Sequence, residues 1–217
     1  MADSDSWRAT GGPAARRLGH SRLAVQGSEM RAFVAIELPE KVRAALAREQ
    51  SRFKAICEHN PDIRWTRPEG LHLTLKFLGE VPSDRVLYVT AALQALDPFE
   101  KFEVEVRGFG FFPNAVHPRV LWAGLEPPAG LIDLARRVEA ALERLGFAPE
   151  DRPFHPHLTL ARFRAPHADR ALAAALEKTD SACLGAFEVR EFFLFESRLL
   201  TGGAEYRKVA RFPDLDD

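Results

Sequence analysis

The amino-acid sequence predicts an α+β protein, and three observations carry that reading. Strand-like and helix-like segments alternate from residue 31 onward, several neighbouring strands are joined by tight turns, and one four-residue strand motif occurs twice. Turn-joined strands interleaved with helices point to an antiparallel or mixed sheet with helices packed on one side. The repeated motif is His72-Leu73-Thr74-Leu75, which returns as His157-Leu158-Thr159-Leu160. Histidine and threonine each make up only seven of the 217 residues, so chance explains the repeat poorly and an internal duplication is the first explanation to test.

The elements follow in order. Residues 31–38 are rich in β-formers, and Pro39 opens a helix to about residue 57, with Val42, Leu46, Phe53 and Ile56 on one face. A second helix near 84–96 places Val86, Val89, Leu93 and Leu96 at helical spacing. Two strands, "FEVEVRGFGFF" and "RVLWAGLE", come next; apolar parity changes at Gly108, which predicts a bulge. A third helix over about 130–145 carries Leu131, Leu134, Val138, Leu142 and Leu145 and stops at Gly146. After the second motif, an Ala-rich helix covers about 168–178, one strand is expected over 186–198, and another over 204–212 beyond the Gly202-Gly203 turn. Residues 1–29 show no sustained apolar period and read as a disordered extension, with residues 30–217 forming the single folded domain.

Composition narrows the function classes. Lys and Arg total 30 against 31 Asp and Glu, a net charge of −1, which argues against bulk coating of nucleic acid but allows a local phosphate pocket. Cys57 and Cys183 have neither disulfide-framework nor zinc spacing, and no run approaches the roughly 20 apolar residues of a membrane span. The expectation is a cytoplasmic monomer with free thiols, no membrane contact and no obligate protein partner.

Along a strand, side chains alternate faces. Each motif therefore buries its leucines on one face and presents His72 with Thr74, or His157 with Thr159, on the other. Residues i and i+2 lie about 6.5–7 Å apart, near enough to share one small anion. If the two strands meet, two histidines and two hydroxyls converge. Imidazole titrates near neutrality, so one ring can accept a proton while the other donates one. Threonine hydroxyls can hydrogen-bond non-bridging phosphoryl oxygens. That set suits in-line displacement at phosphorus without a metal, and a cyclic phosphate is a natural substrate.

The paired His-x-Thr-x motifs, with "RAFVAIELP", "RWTRPEGLHLTLKFLGEV", "PRVLWAGLE", "FHPHLTLARF" and "YRKVARFP", resemble the 2H phosphoesterase superfamily, in particular its RNA 2′,3′-cyclic phosphodiesterase branch, also known as 2′-5′ RNA ligases. The resemblance runs from about Met30 to Phe212. It implies a bilobal α+β fold with pseudo-twofold lobes around a central cleft. It also implies hydrolysis of the 2′,3′-cyclic phosphate at RNA 3′ ends to a 2′-phosphomonoester, with no cofactor and no metal. Carried over, His72 is the proton donor to the leaving oxygen, His157 the proton acceptor from water, and Thr74 and Thr159 the phosphate-binding hydroxyls. Arg162 matches a basic residue associated with substrate phosphate. Strict alternation puts Arg162 on the leucine face, so it reaches the cleft only if the strand ends or bulges near Ala161.

Other residues carry competing readings. His155 shares the face of His157 and either orients that ring, contacts RNA or serves as a spacer before Pro156. Lys76 shares the face of His72 and could attract phosphate, although a solvated lysine is the expectation. Phe33, Trp65 and Trp122 are candidates for base stacking or for the core. His20, His59, His117 and His167 read as structural or exposed. The rivals in function are a zinc hydrolase built on His72, His155 and His157, a non-catalytic RNA-end binding module, and a related enzyme acting on 2′-5′ linkages or a small cyclic nucleotide.

Overall fold

The protein is described by a computed structural model covering residues 29–57, 60–165, 169–179, 183–201 and 203–213. The expected extension lies, except for Glu29, outside the described residues, as do His20, His59 and His167. In chain order the elements are β1 (Glu29–Glu37), α1 (Glu40–Ile56), β2 (Ile63–Trp65), a short 3-10 turn (Pro68–Gly70), β3 (His72–Pro82), α2 (Ser83–Gln94), β4 (Phe102–Phe112), β5 (Val120–Glu126), α3 (Ala129–Glu143), β6 (His157–Phe163), α4 (Arg170–Glu177), β7 (Cys183–Val189), β8 (Phe192–Leu200) and β9 (Gly203–Phe212).

The strands form one sheet in the order β7-β4-β5-β6-β3-β1-β8-β9, with β2 beside β6. Every pairing is antiparallel, which settles the choice between antiparallel and mixed. The order divides into two matching halves, β6-β5-β4-β7 and β3-β1-β8-β9, set back to back. Each half begins with a motif strand, and the two motif strands meet at one paired position, Leu73 opposite Leu158.

Helix positions follow the expected apolar faces. Val42, Leu46 and Phe53 of α1 are buried, as are Leu131, Leu134, Val138 and Leu142 of α3. They pack on the leucine face of the sheet in one core that includes residues of both halves, among them Leu73, Leu75, Leu158 and Leu160. Apolar burial of this extent is the dominant stabilising force of such a domain. The opposite face carries a smaller cluster of Phe33, Ala35, Phe193 and Phe195.

Two expectations are resolved here. The bulge at Gly108 is present: register slips between Val106 and Phe109, and Gly108 has φ +68°, a conformation that favours glycine. The single strand expected over 186–198 is instead two strands broken at Arg190 and Glu191, with β7 at one edge of the sheet and β8 in the other half. Both segments are rich in β-formers, so local propensity could not reveal that the chain crosses between halves.

Candidate active site

The motif strands behave as their alternation requires. Leu73, Leu75, Leu158 and Leu160 are buried beneath the sheet, whereas His72, Thr74, His157 and Thr159 are half-buried on its other face. His72, Thr74 and Thr159 line a cleft of about 810 Å³ together with Arg162, Phe33, Phe77 and Tyr206. His157 stands close enough to His72 that protonation of one disfavours protonation of the other.

Both imidazoles are oriented by one device. His72 Nδ1 lies 2.8 Å from the carbonyl oxygen of Gly70, and His157 Nδ1 lies 2.8 Å from that of His155. A carbonyl can only accept, so each Nδ1 carries the hydrogen and each Nε2 is left to exchange a proton. Neighbouring rings fix the imidazoles further. Phe33 packs on His72 at 4.6 Å between ring centroids, and Phe112 meets His157 edge-on at 5.0 Å. Tyr206 of β9 adds a second edge contact to His72 at 5.1 Å. Its role escapes any pattern-based reading, because β9 is distant in sequence; the only signal was the "YRKVARFP" resemblance.

Burial lowers the pKa of His72 to about 4, with repulsion from Arg162 and His157 adding to it against the stabilising Gly70 carbonyl. The pKa of His157 is also lowered, mainly by burial, then by His155 and Arg162. Both rings therefore favour the neutral form at pH ~7. Burial holds the Tyr206 hydroxyl in its protonated form, with a pKa above its ordinary value.

Arg162 does reach the cleft, and the required bulge is there. Register slips where Leu121 and Trp122 face β6, so Leu160 and Ala161 are both buried and the next residue flips outward. Arg162 lines the cleft as a result. The same bulge occurs in β3, where register slips between Val34 and Ala35 and both Leu75 and Lys76 are buried. Lys76 is thus not the solvated lysine expected on the histidine face. It lies under the sheet, where its Nζ donates to Glu139 Oε1 at 2.7 Å and to the Ala148 carbonyl at 2.6 Å. Behind the other bulge, Gln50 Nε2 donates to the carbonyls of Leu160 and Thr66, each at 2.9 Å. Gln50 fills a position of the buried face of α1 that the sequence reading passed over.

The remaining candidates find places. The His155 ring is exposed and packs against Phe112 at 5.3 Å and Trp122 at 5.6 Å, while its carbonyl fixes His157. Its measurable contribution to the site is therefore the backbone oxygen. Trp122 lies flat on Gly110, where an added Cβ would sit 2.2 Å from the indole ring, so only glycine fits there. Phe33 is core-like at 3% exposure, and Trp65 is half-buried with Lys54 over its ring. Among the described residues no three His, Cys, Asp or Glu side chains converge as a metal set, which leaves the three-histidine zinc site without a geometric basis. Cys57 and Cys183 are free, as expected.

Two half-sites that join paired His-x-Thr strands across a cationic cleft define a phosphoesterase-type site. Comparison with known proteins gives the class its family. A family profile described as LigT like Phosphoesterase matches residues 36–122 and 125–206, with one motif in each stretch. The chain belongs to the LigT-like phosphoesterase family and is an enzyme of that class. It is similar to the RNA 2′,3′-cyclic phosphodiesterase of Methanothermobacter thermautotrophicus, at 33% identity over 185 residues that cover 85% of this chain and 98% of the relative. The protein of the same name from Aeropyrum pernix is 37% identical over 156 residues, 71% of this chain and 88% of the relative. The crystal structure of E. coli LigT complexed with 3′-AMP superposes with a TM-score of 0.70 at 28% identity, covering 85% of this chain and 98% of that one. No helix among the described residues is long and apolar enough to cross a membrane.

Proposed function

We propose that the protein hydrolyses the 2′,3′-cyclic phosphate at RNA 3′ ends to a 2′-phosphomonoester, by acid–base catalysis between His72 and His157. The observation that carries this reading is the matched pair of imidazoles, each with Nδ1 committed to a carbonyl two residues upstream and Nε2 left to move a proton. The names of the relatives in Methanothermobacter and Aeropyrum support the substrate.

In the reaction, the cyclic phosphodiester anion enters the cleft and raises the proton affinity of the imidazoles. His157, neutral, accepts a proton from the attacking water. The new P–O bond forms as the P–O3′ bond breaks, and His72 delivers its proton to the departing 3′-oxygen. Thr74 and Thr159 donate hydrogen bonds to the non-bridging oxygens, and Arg162 balances the charge that builds there. No step calls on a metal or cofactor. With an RNA 5′-hydroxyl in place of water, the same displacement joins the two ends through a 2′-5′ linkage.

The test is single-turnover hydrolysis of an RNA oligomer ending in 2′,3′-cyclic phosphate, in excess EDTA, with products resolved. Wild type should yield the 2′-phosphate, and His72→Ala and His157→Ala should each lose about 10²–10⁴-fold. A 3′-phosphate product, activity abolished by EDTA, or binding without turnover would reject the reading.

A further inference from the structure

Among the described residues the cleft is lined by Arg31, Arg64, Arg67 and Arg162 and by no aspartate or glutamate, in a chain whose net charge is −1. Within that set, Arg64 of β2 sits directly opposite Arg162 of β6 in the antiparallel register. Ile63 and Phe163, the flanking pair, are both buried, so alternation turns both arginines to the cleft face. Among the described residues neither guanidinium has a carboxylate within ion-pairing distance. Like charges directly opposite on a sheet are destabilising, and no ion pair among the described residues offsets them. Such a pair becomes favourable when an anion, or a chain of anions, lies across it.

The two arginines are not equivalent. Arg162 bears on the reacting centre: its charge disfavours protonation of His72 and His157 and favours ionisation of Tyr206. Arg64 is one strand further out, a spacing of about 4.8 Å, on the side of the cleft away from β5. With Arg162 assigned to the scissile phosphate, Arg64 is placed to take the next one. We propose that Arg64 binds the internucleotide phosphate upstream of the terminal residue, so that the enzyme reads the end of a polynucleotide chain in preference to a cyclic mononucleotide. This rests on the cyclic-phosphodiesterase reading above and extends it to substrate length.

The experiment compares kcat/KM for a short RNA ending in 2′,3′-cyclic phosphate with that for cytidine 2′,3′-cyclic monophosphate. Wild type, Arg64→Ala and Arg64→Lys are measured over a range of salt concentrations, with thermal midpoints as a control. The ratio of oligomer to mononucleotide kcat/KM should fall about tenfold or more in Arg64→Ala, chiefly through KM, and Arg64→Lys should restore most of it. The log–log salt slope for the oligomer should shrink by about 0.7, as expected for one lost phosphate contact on a single strand. The thermal midpoint without ligand should hold or rise, because a repulsive pair is gone. An equal loss on both substrates, or no loss on either, overturns the proposal. If wild type turns over neither substrate, the phosphodiesterase reading fails instead. The upstream site is then judged by anisotropy with a 3′-phosphorylated RNA oligomer, where salt-sensitive binding that Arg64→Ala leaves intact overturns it.

Discussion

In β6 the residue five places after the motif histidine is Arg162, and in β3 it is Phe77; both are carried to the cleft by the same bulge. The two half-sites therefore share a backbone and differ in what stands on it. The likeness extends behind the sheet. Gln50 is the eleventh residue of α1 and Glu139 the eleventh of α3, and each reaches the bulge of one motif strand. One staple is a neutral amide on two carbonyls, the other a carboxylate paired with buried Lys76. The duplicated frame places two identical imidazoles, each held through Nδ1. The unmatched positions differ in charge, since Phe77, 55% exposed, offers an apolar ring where Arg162 offers a cation.

The largest expected effect tests the shared part. Each of His72→Ala and His157→Ala removes one proton transfer, and the double variant should fall no more than about tenfold below the worse single one, because residues that act as a unit are strongly non-additive. Additive losses in single-turnover rates would mean two independent contributions.

The next effect separates the unmatched positions. Arg162→Ala should cost about 10²–10³-fold in kcat, comparable to losing a charge-stabilising donor at a reacting centre. Phe77→Ala should cost about tenfold or less, and chiefly in KM, since a ring can stack a base but carries no charge. Equal kcat losses would remove the distinction between the banks.

The staples should differ in stability. Lys76→Ala leaves Glu139 without its cation and opens space under β3, and should cost about 3 kcal/mol in urea unfolding. Gln50→Ala gives up two bonds to backbone carbonyls and should cost about 1–3 kcal/mol. The reverse order would show that the ion pair matters less than the amide.

The smallest effect is a displacement along the pH axis. The base must be neutral, so activity rises with pH through its pKa; the acid must be protonated, so activity falls through the other. Both histidine pKa values are lowered, that of His72 to about 4, so kcat/KM, which reports the free enzyme, should peak below pH 6.5. In the complex the substrate anion raises both, and kcat should peak at higher pH. A kcat/KM maximum at or above pH 7 would contradict the burial of these rings.

Much of the site was legible because it is local. His72, Thr74, His157 and Thr159 follow from strand alternation and a repeat, and the α+β class follows from apolar periods. Lys76 was misplaced because a bulge shifts parity without leaving a glycine or proline in "LTLKF" to mark it. Arg162 reached the cleft for the same reason, and the sequence could state only the condition, a bulge near Ala161.

By itself the sequence determined most of the secondary elements, the two copies of the motif and the chemistry of their side chains, since these depend on residue type and short-range spacing. The tertiary structure alone decided that β3 and β6 meet at Leu73 and Leu158, and that Tyr206 closes over His72. It also decided that Arg64 faces Arg162 and that Gln50 and Lys76 hold the bulges from behind. Those contacts join residues far apart in the chain, and which of them form is fixed by burying both leucine faces in one core, a constraint that acts on the whole fold and on no single segment.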